Sequence, residues 1–217
     1  IESLQPRSRR LIVVGGDAES DRELSTRVAE RVRSRQRWEV QTWNAFSVDE
    51  LRRELGALDS GSAVLFTTMY RDRSGRASFP ADALAGFAAA SGAPIYGLYG
   101  SYIGRGATAG SVVDFDASGK VAAEMAIAML RGQPLPAPGT QPLAATRCAA
   151  DYPRLAAHGL SAAALPEGCE LRGAPRTLWT EYRGPVLLAL AVLLAQTLTI
   201  AALLVQRRRR QLAESEA

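Results

Sequence analysis

The stretch GSYIGRGATAG, residues 100–110, places four glycines in eleven positions around one arginine. Such a loop serves either to cradle a phosphate or to turn a backbone. Spacing argues against the cradle: Gly104-x-Gly106-x-x-x-Gly110 is one residue longer than the G-x-G-x-x-G dinucleotide fingerprint. No lysine followed by Ser or Thr completes a P-loop, and the next segment, AGSVVDF, reads as a strand where a phosphate site needs a helix N-terminus. The expected role is a hinge through which the chain passes from one lobe to another, because glycine permits positive φ and close backbone approach.

Other residues able to do chemistry are sparse. His158 is the only histidine, in LAAHGLS, with no second His or Cys at ligand spacing, so neither a metal site nor a Ser-His-Asp triad is expected. GGDAE at 15–19 is similar to the GGDEF signature of nucleotide cyclases, but it joins a strand to a helix and not the two arms of a hairpin. Asp72 and Asp82 could form an acid/base pair, but YRDRSGR reads more simply as a solvated loop whose charges nearly cancel. No catalytic residue, metal or cofactor is assigned.

These residues need a frame, and the hydrophobic pattern supplies one. RLIVV, WEVQTW, SAVLFTTMY and APIYGLYG read as strands; between them lie helices with capping boxes at Ser20-x-x-Glu23 and Ser47-x-x-Glu50, and a third opening at Pro80 and ending at Gly92. The expected apolar faces are Leu24, Val28, Ala29 and Val32, then Leu51, Leu55 and Leu58. Strand and helix in alternation call for a parallel sheet covered by helices, the α/β class. Ligands of such sheets sit beyond the carboxyl ends of the strands. Gly16, Asp17, Thr67, Thr68, Tyr70, Tyr99 and Tyr102 lie at those ends, with Arg105 beside them, and are the candidate ligand-binding residues. The tyrosines suit a flat solute, the hydroxyls and Asp17 a polar anchor, and Arg105 a carboxylate.

Charge and hydropathy set the location. Pro185–Val205 contains no charged residue, and its only polar side chains are Gln196, Thr197 and Thr199. At about 1.5 Å per residue such a helix matches the ~30 Å hydrocarbon core of a bilayer. Arg207, Arg208, Arg209 and Arg210 follow directly, which puts residues 207–217 in the cytoplasm and 1–183 outside. Without that block, basic and acidic residues nearly balance, and no basic stripe marks a nucleic-acid interface. An export signal is expected upstream of Ile1. In an oxidising compartment Cys148 and Cys169 favour a bridge over two separate buried thiols.

Residues 93–142 carry a family likeness. Pro94, Gly110, Gly119, Ala122, Ala123, Leu130, Gly132 and Pro134 resemble the C-terminal half of the ABC-transporter substrate-binding protein family with a type I periplasmic-binding fold. The continuation, with Asp151, Arg154, Leu155, Gly159, Leu165, Pro166, Gly168, Leu178, Trp179 and Tyr182, resembles the membrane-proximal end of this module in bacterial sensor histidine kinases. It departs at Tyr152 and His158, where tryptophans are usual, and in having its cysteines.

The resemblance covers about residues 10–212 and implies a layout. Residues 1–10 enter from a missing upstream lobe, and 11–99 form the Rossmann-like second lobe with its parallel sheet. Residues 100–142 hold a crossover, a strand and helix of the first lobe, and a Pro-rich linker. A small irregular module (143–183), a transmembrane helix (184–206) and the start of a cytoplasmic linker (207–217) complete the chain. It further implies a small-molecule ligand, a bilayer of the bacterial inner membrane, a homodimer through the full-length protein, no nucleic acid, and a kinase downstream. The other reading is a membrane-tethered solute-binding protein of an ABC transporter. Because the first lobe is absent, the strand 109–115 and helix 119–130 are expected to stand off the 11–99 sheet.

Overall fold

The computed structural model describes residues 1–134, 146–175 and 178–215. It divides into two units, Ile1–Ala174 and Pro175–Ala217. In the first, β1 (Arg10–Val14), β2 (Glu39–Trp43), β3 (Ser62–Phe66), β4 (Ile95–Gly97), β5 (Ala109–Val113), β6 (Thr146–Asp151) and β7 (Glu170–Arg172) form one sheet in the order β2-β1-β3-β4-β5-β6-β7. All neighbours are parallel except β5 and β6.

Side-chain alternation in β1 splits the core between the two faces of this sheet. Ile12 and Val14 join Leu51 and Leu55 of α2 (Val48–Gly56) and Leu84 and Phe87 of α3 (Pro80–Ala90). On the other face Leu11 joins Leu4, Tyr96 and Leu155 of α5 (Tyr152–Ala157), with Val32 of α1 (Glu19–Arg33) packed at the margin. Burial on both faces explains why these strands read as apolar runs without polar alternation.

The box at Ser47 forms in full, its hydroxyl accepting from the Glu50 amide while the Glu50 carboxylate accepts from the Ser47 amide. The one expected at Ser20 does not. The helix α1 already begins at Glu19, so Ser20 lies inside the first turn, and the N-cap is Ala18 with no side-chain cap. Its buried stripe is Asp21, Ser25 and Ala29, while Leu24, Val28 and Val32 are only half-buried. Small groups are required there: a Cβ on Gly15 would come within 3.0 Å of the Ser25 side chain.

Residues 100–113 also differ from the expectation. The strand β5 does not stand off the sheet; it pairs with β4 at Tyr96 and Ala109 and with β6 over its whole length. The edge of β4 offers unpaired backbone groups, and β5 takes them, with the Thr108 amide donating to Ile95 O at 2.6 Å and the Val113 amide to Leu98 O at 2.9 Å. The approach depends on Gly110, where a Cβ would lie 2.1 Å from Gly97 O. The glycine loop is thus the connection between two neighbouring parallel strands, not a hinge. Gly104 and Gly106 turn it at φ 85° and 125°, and Tyr102, Ile103 and Ala107 are buried within it.

The helix α4 (Phe115–Leu130) does stand off: it has no buried residue, and Phe115, Ile127, Met129 and Leu130 are all exposed. The Asp114 carboxylate caps it by accepting from the Ala117 amide. The Pro-rich stretch 135–142, expected as a linker, lies outside the described residues.

Cys148 and Cys169 form a disulfide with Cα atoms 4.6 Å apart. Each stands one residue before the first paired positions of β6 and β7, Ala149 and Glu170, so the bridge fastens two adjacent parallel strands. Beside it Arg147 pairs with Glu170 and, at 3.4 Å, with Asp114; Glu170 also takes Arg172 at 2.7 Å.

The second unit is built on α6 (Leu178–Ser215). Gly184–Ala201 has a mean hydropathy of 2.0 and none of it is buried, so this helix is long and apolar enough to cross a membrane. Its backbone remains helical through Arg207–Arg210. The side chains of those arginines, and of Trp179 and Tyr182, lie outside the described residues.

Candidate functional site

Beyond the carboxyl ends of β3, β4 and β5 lies a cavity of about 830 Å³. Its walls are aromatic: Tyr70 and Phe79 come from the β3–α3 connection, Tyr99 and Tyr102 from the β4–β5 connection, and Phe115 from the first turn of α4. The Tyr99 and Phe115 rings stack with an interplanar angle of 2° and centroids 5.9 Å apart, while Tyr99 meets Tyr102 edge to face at 5.3 Å. The polar rim consists of Ser101, Asp82 and Arg105, the last two paired at 2.5 Å and both exposed.

The β3–α3 connection is held from two sides. Asp21 is fully buried, and its carboxylate accepts from the Thr68 hydroxyl at 2.7 Å and the Tyr70 amide at 2.8 Å. Asp72 is 1% exposed and accepts from the Ser74 hydroxyl (2.7 Å), the Arg76 amide (2.9 Å) and the Val48 amide at the start of α2 (3.1 Å). Burial alone would raise the pKa of Asp72, but those hydrogen bonds outweigh it and hold the group below the usual carboxylate range. Burial pushes the phenols of Tyr99 and Tyr102 up, and each lies close to another tyrosine, so both stay neutral.

Four of the residues singled out from the sequence line this cavity: Tyr70, Tyr99, Tyr102 and Arg105. Tyr102 offers only its ring, because its hydroxyl donates to Thr67 O at 2.8 Å. The other four hold the frame. The hydroxyls of Thr67 and Thr68 are spent on Val14 O and Asp21, the Gly16 amide donates to Thr68 O, and the Asp17 carboxylate takes Arg22 at 3.3 Å. Phe79 and Phe115 were missed, although each stands at a helix start, before Pro80 and after Asp114, where a strand-end loop meets a helix.

The arrangement can stack a flat solute and orient it through Arg105, Asp82 and Ser101. Among the described residues no group of three His, Cys, Asp or Glu side chains is placed to hold a metal ion. A smaller cavity, about 400 Å³, opens at the opposite edge between Gln5, Ser8, Ser60, Pro94 and His158. Burial and the nearby Arg154 lower the pKa of His158.

No family model matches this sequence, and no curated protein does either. Solved structures do. A substrate binding protein with adhesive properties from Clostridium difficile, in its ligand-free, open form, aligns with a TM-score of 0.57 at 15% identity. The ABC domain from Streptococcus pneumonia in complex with L-Trp aligns at 0.56 and 16%, and a conserved domain protein from Vibrio cholerae at 0.55 and 16%. Each alignment covers 79% of this chain and 57% of the other, so the chain spans little more than half the length of the structures it matches. At such identity the likeness concerns the fold alone. It is the α/β, mostly parallel sheet of ABC-type substrate-binding proteins with a type I periplasmic-binding-like fold.

Proposed function

We propose that this chain is the extracytoplasmic ligand-binding region of a transmembrane receptor, in which a small flat solute bound at the carboxyl edge of the sheet biases a cytoplasmic output. The observation that carries this reading is the aromatic cavity of Tyr70, Phe79, Tyr99, Tyr102 and Phe115 on one unit of a chain whose other unit is a membrane-length helix. Stacking is worth ~0.5–1.5 kcal/mol per aromatic pair beyond burial, and several rings meet here. The ligand acts only through a difference in affinity between two states of the receptor. A sensor histidine kinase of the bacterial inner membrane fits this layout, with residues 1–183 periplasmic, 207–217 cytoplasmic and the active form a homodimer.

The exposed α4, with Phe115 on the cavity wall, is the natural seat of the first lobe expected upstream of Ile1. Closure of that lobe over Tyr99 and Phe115 would complete the cleft. A second reading, a membrane-tethered solute-binding protein serving an ABC transporter, is favoured by the similarity in fold to a substrate binding protein and to an ABC domain in complex with L-Trp. L-Trp, bound by one of them, is the first solute to try.

Titration of the full-length protein with L-tryptophan, indole and other aromatic amino acids tests the binding reading. Saturable binding that is lost in Tyr99→Ala and Phe115→Ala supports it. Reporter fusions at Arg183 and Gln211 test the topology and should report opposite compartments.

A further inference from the structure

The apolar span of α6 carries three polar side chains, and the helix satisfies two of them itself. The Thr197 hydroxyl donates to Leu194 O at 2.8 Å, and the Thr199 hydroxyl to Ala195 O at 2.8 Å. Gln196 is different. Its side-chain amide has no partner among the described residues and is exposed, one residue from the midpoint of Pro185–Val205 and therefore ~1.5 Å from the membrane midplane. Hydrocarbon offers no hydrogen bonds, so an amide at this depth has to find another protein segment.

The residues around it say which face that segment meets. Ala189, Val192, Gln196, Thr199 and Leu203 follow one another at alternating spacings of three and four and share one side of the helix. Val192 and Leu203 are 49% and 59% exposed. The opposite side presents Leu187, Leu190, Leu194, Leu198 and Ala201, all apolar and suited to lipid. The polar seam has no charge within the span, and Ala189 permits close approach of another backbone.

We propose that α6 pairs in parallel with α6 of a second copy of this chain through the Ala189–Val192–Gln196–Thr199–Leu203 seam, the two Gln196 amides bonding across the pair. A primary amide is its own complement, since its N–H groups donate to the carbonyl of another and its carbonyl accepts in return. Two copies inserted in the same orientation bring the same amide to the same depth, so the match needs no further partner. The inference rests on reading α6 as a membrane span.

The test is cysteine scanning of residues 187–203 in the full chain, in the membranes of expressing cells, with copper phenanthroline as oxidant. Cys148 and Cys169 are bonded to each other, so each introduced thiol is the free one. Cross-linked dimer should peak at positions 189, 192, 196, 199 and 203 and fall at 190, 194 and 201. In phosphatidylcholine vesicles, energy transfer between labelled chains should show Gln196→Leu weakening association about tenfold, with Gln196→Asn retaining most of it. Peaks on the Leu190–Leu194 side, unchanged association in Gln196→Leu, or no cross-linking in a chain that resists carbonate extraction would each overturn the pairing alone. Release of the chain by carbonate would overturn the span and the pairing together.

Discussion

The buried carboxylate of Asp21, in the first turn of α1, accepts the backbone amide of Tyr70 at 2.8 Å and so fixes where that ring enters the cavity. The same carboxylate takes the Thr68 hydroxyl. Asp21→Ala leaves the buried Thr68 hydroxyl and the part-buried Tyr70 amide without this acceptor, at a cost of ~1–3 kcal/mol for the buried hydroxyl and less for the amide, which water can reach. Asp21→Asn keeps one acceptor oxygen and should cost less. Urea unfolding midpoints of the two variants check this; a midpoint for Asp21→Ala equal to that of the parent would show that the contact carries no stability.

Asp72 makes the fold acid-sensitive. Its folded pKa is depressed below its unfolded value of 3.8, so its contribution is fully present above about pH 4 and is lost as pH falls through the folded pKa. Stability of the parent should therefore decline below about pH 4, and Asp72→Asn should decline less steeply from a lower plateau. Thermal unfolding between pH 7 and pH 3 provides the comparison, and parallel slopes for the two proteins would contradict the assignment.

The disulfide closes a segment with a sequence separation of 21. On the chain-entropy account, Cys148→Ser with Cys169→Ser should lower stability by ~3 kcal/mol. Guanidinium unfolding of the first unit, followed with and without reductant, should show the parent shifted by reduction and the double variant indifferent to it. An unshifted parent would mean that the bridge does not constrain the unfolded chain.

Two glycines should respond in opposite ways. Gly110→Ala puts a Cβ 2.1 Å from Gly97 O, so β4 and β5 must part, and a loss above ~2 kcal/mol is expected. Gly119, inside α4, has nothing within 4 Å of an added Cβ, and Gly119→Ala should stabilise that helix by ~0.5–1 kcal/mol. Amide exchange in α4 and across the β4–β5 pair reads both effects.

Much of the fold was legible because it is local. Runs such as Leu11–Val14 and Ala63–Phe66 are apolar, the first of them rich in β-branched residues, and Ser47 with Glu50 writes a helix start into four positions. What escaped was long-range. The pairing of β5 with β4 depends on Gly110 passing under Gly97 O, an approach that no periodicity announces. At the site, the hydroxyls of Thr67 and Thr68 looked available to a ligand but are consumed by Val14 O and by Asp21. The sequence placed Asp21 in a helix start and gave no sign that it would be buried there. Phe79 and Phe115 belong to the cavity because two separate helix starts converge on it, which is a property of topology and not of either segment alone.

We propose the aromatic cavity at the carboxyl edge of the sheet as the place where the solute binds. The most direct test is nuclear magnetic resonance of the full chain in lipid nanodiscs, with isotope-labelled Tyr and Phe, during titration with L-tryptophan and indole. Shifts concentrated at Tyr70, Phe79, Tyr99, Tyr102 and Phe115, and abolished by Tyr99→Ala, are the predicted result. Shifts confined to the opposite edge, around Tyr96 and the cavity beside Gln5 and His158, would contradict it.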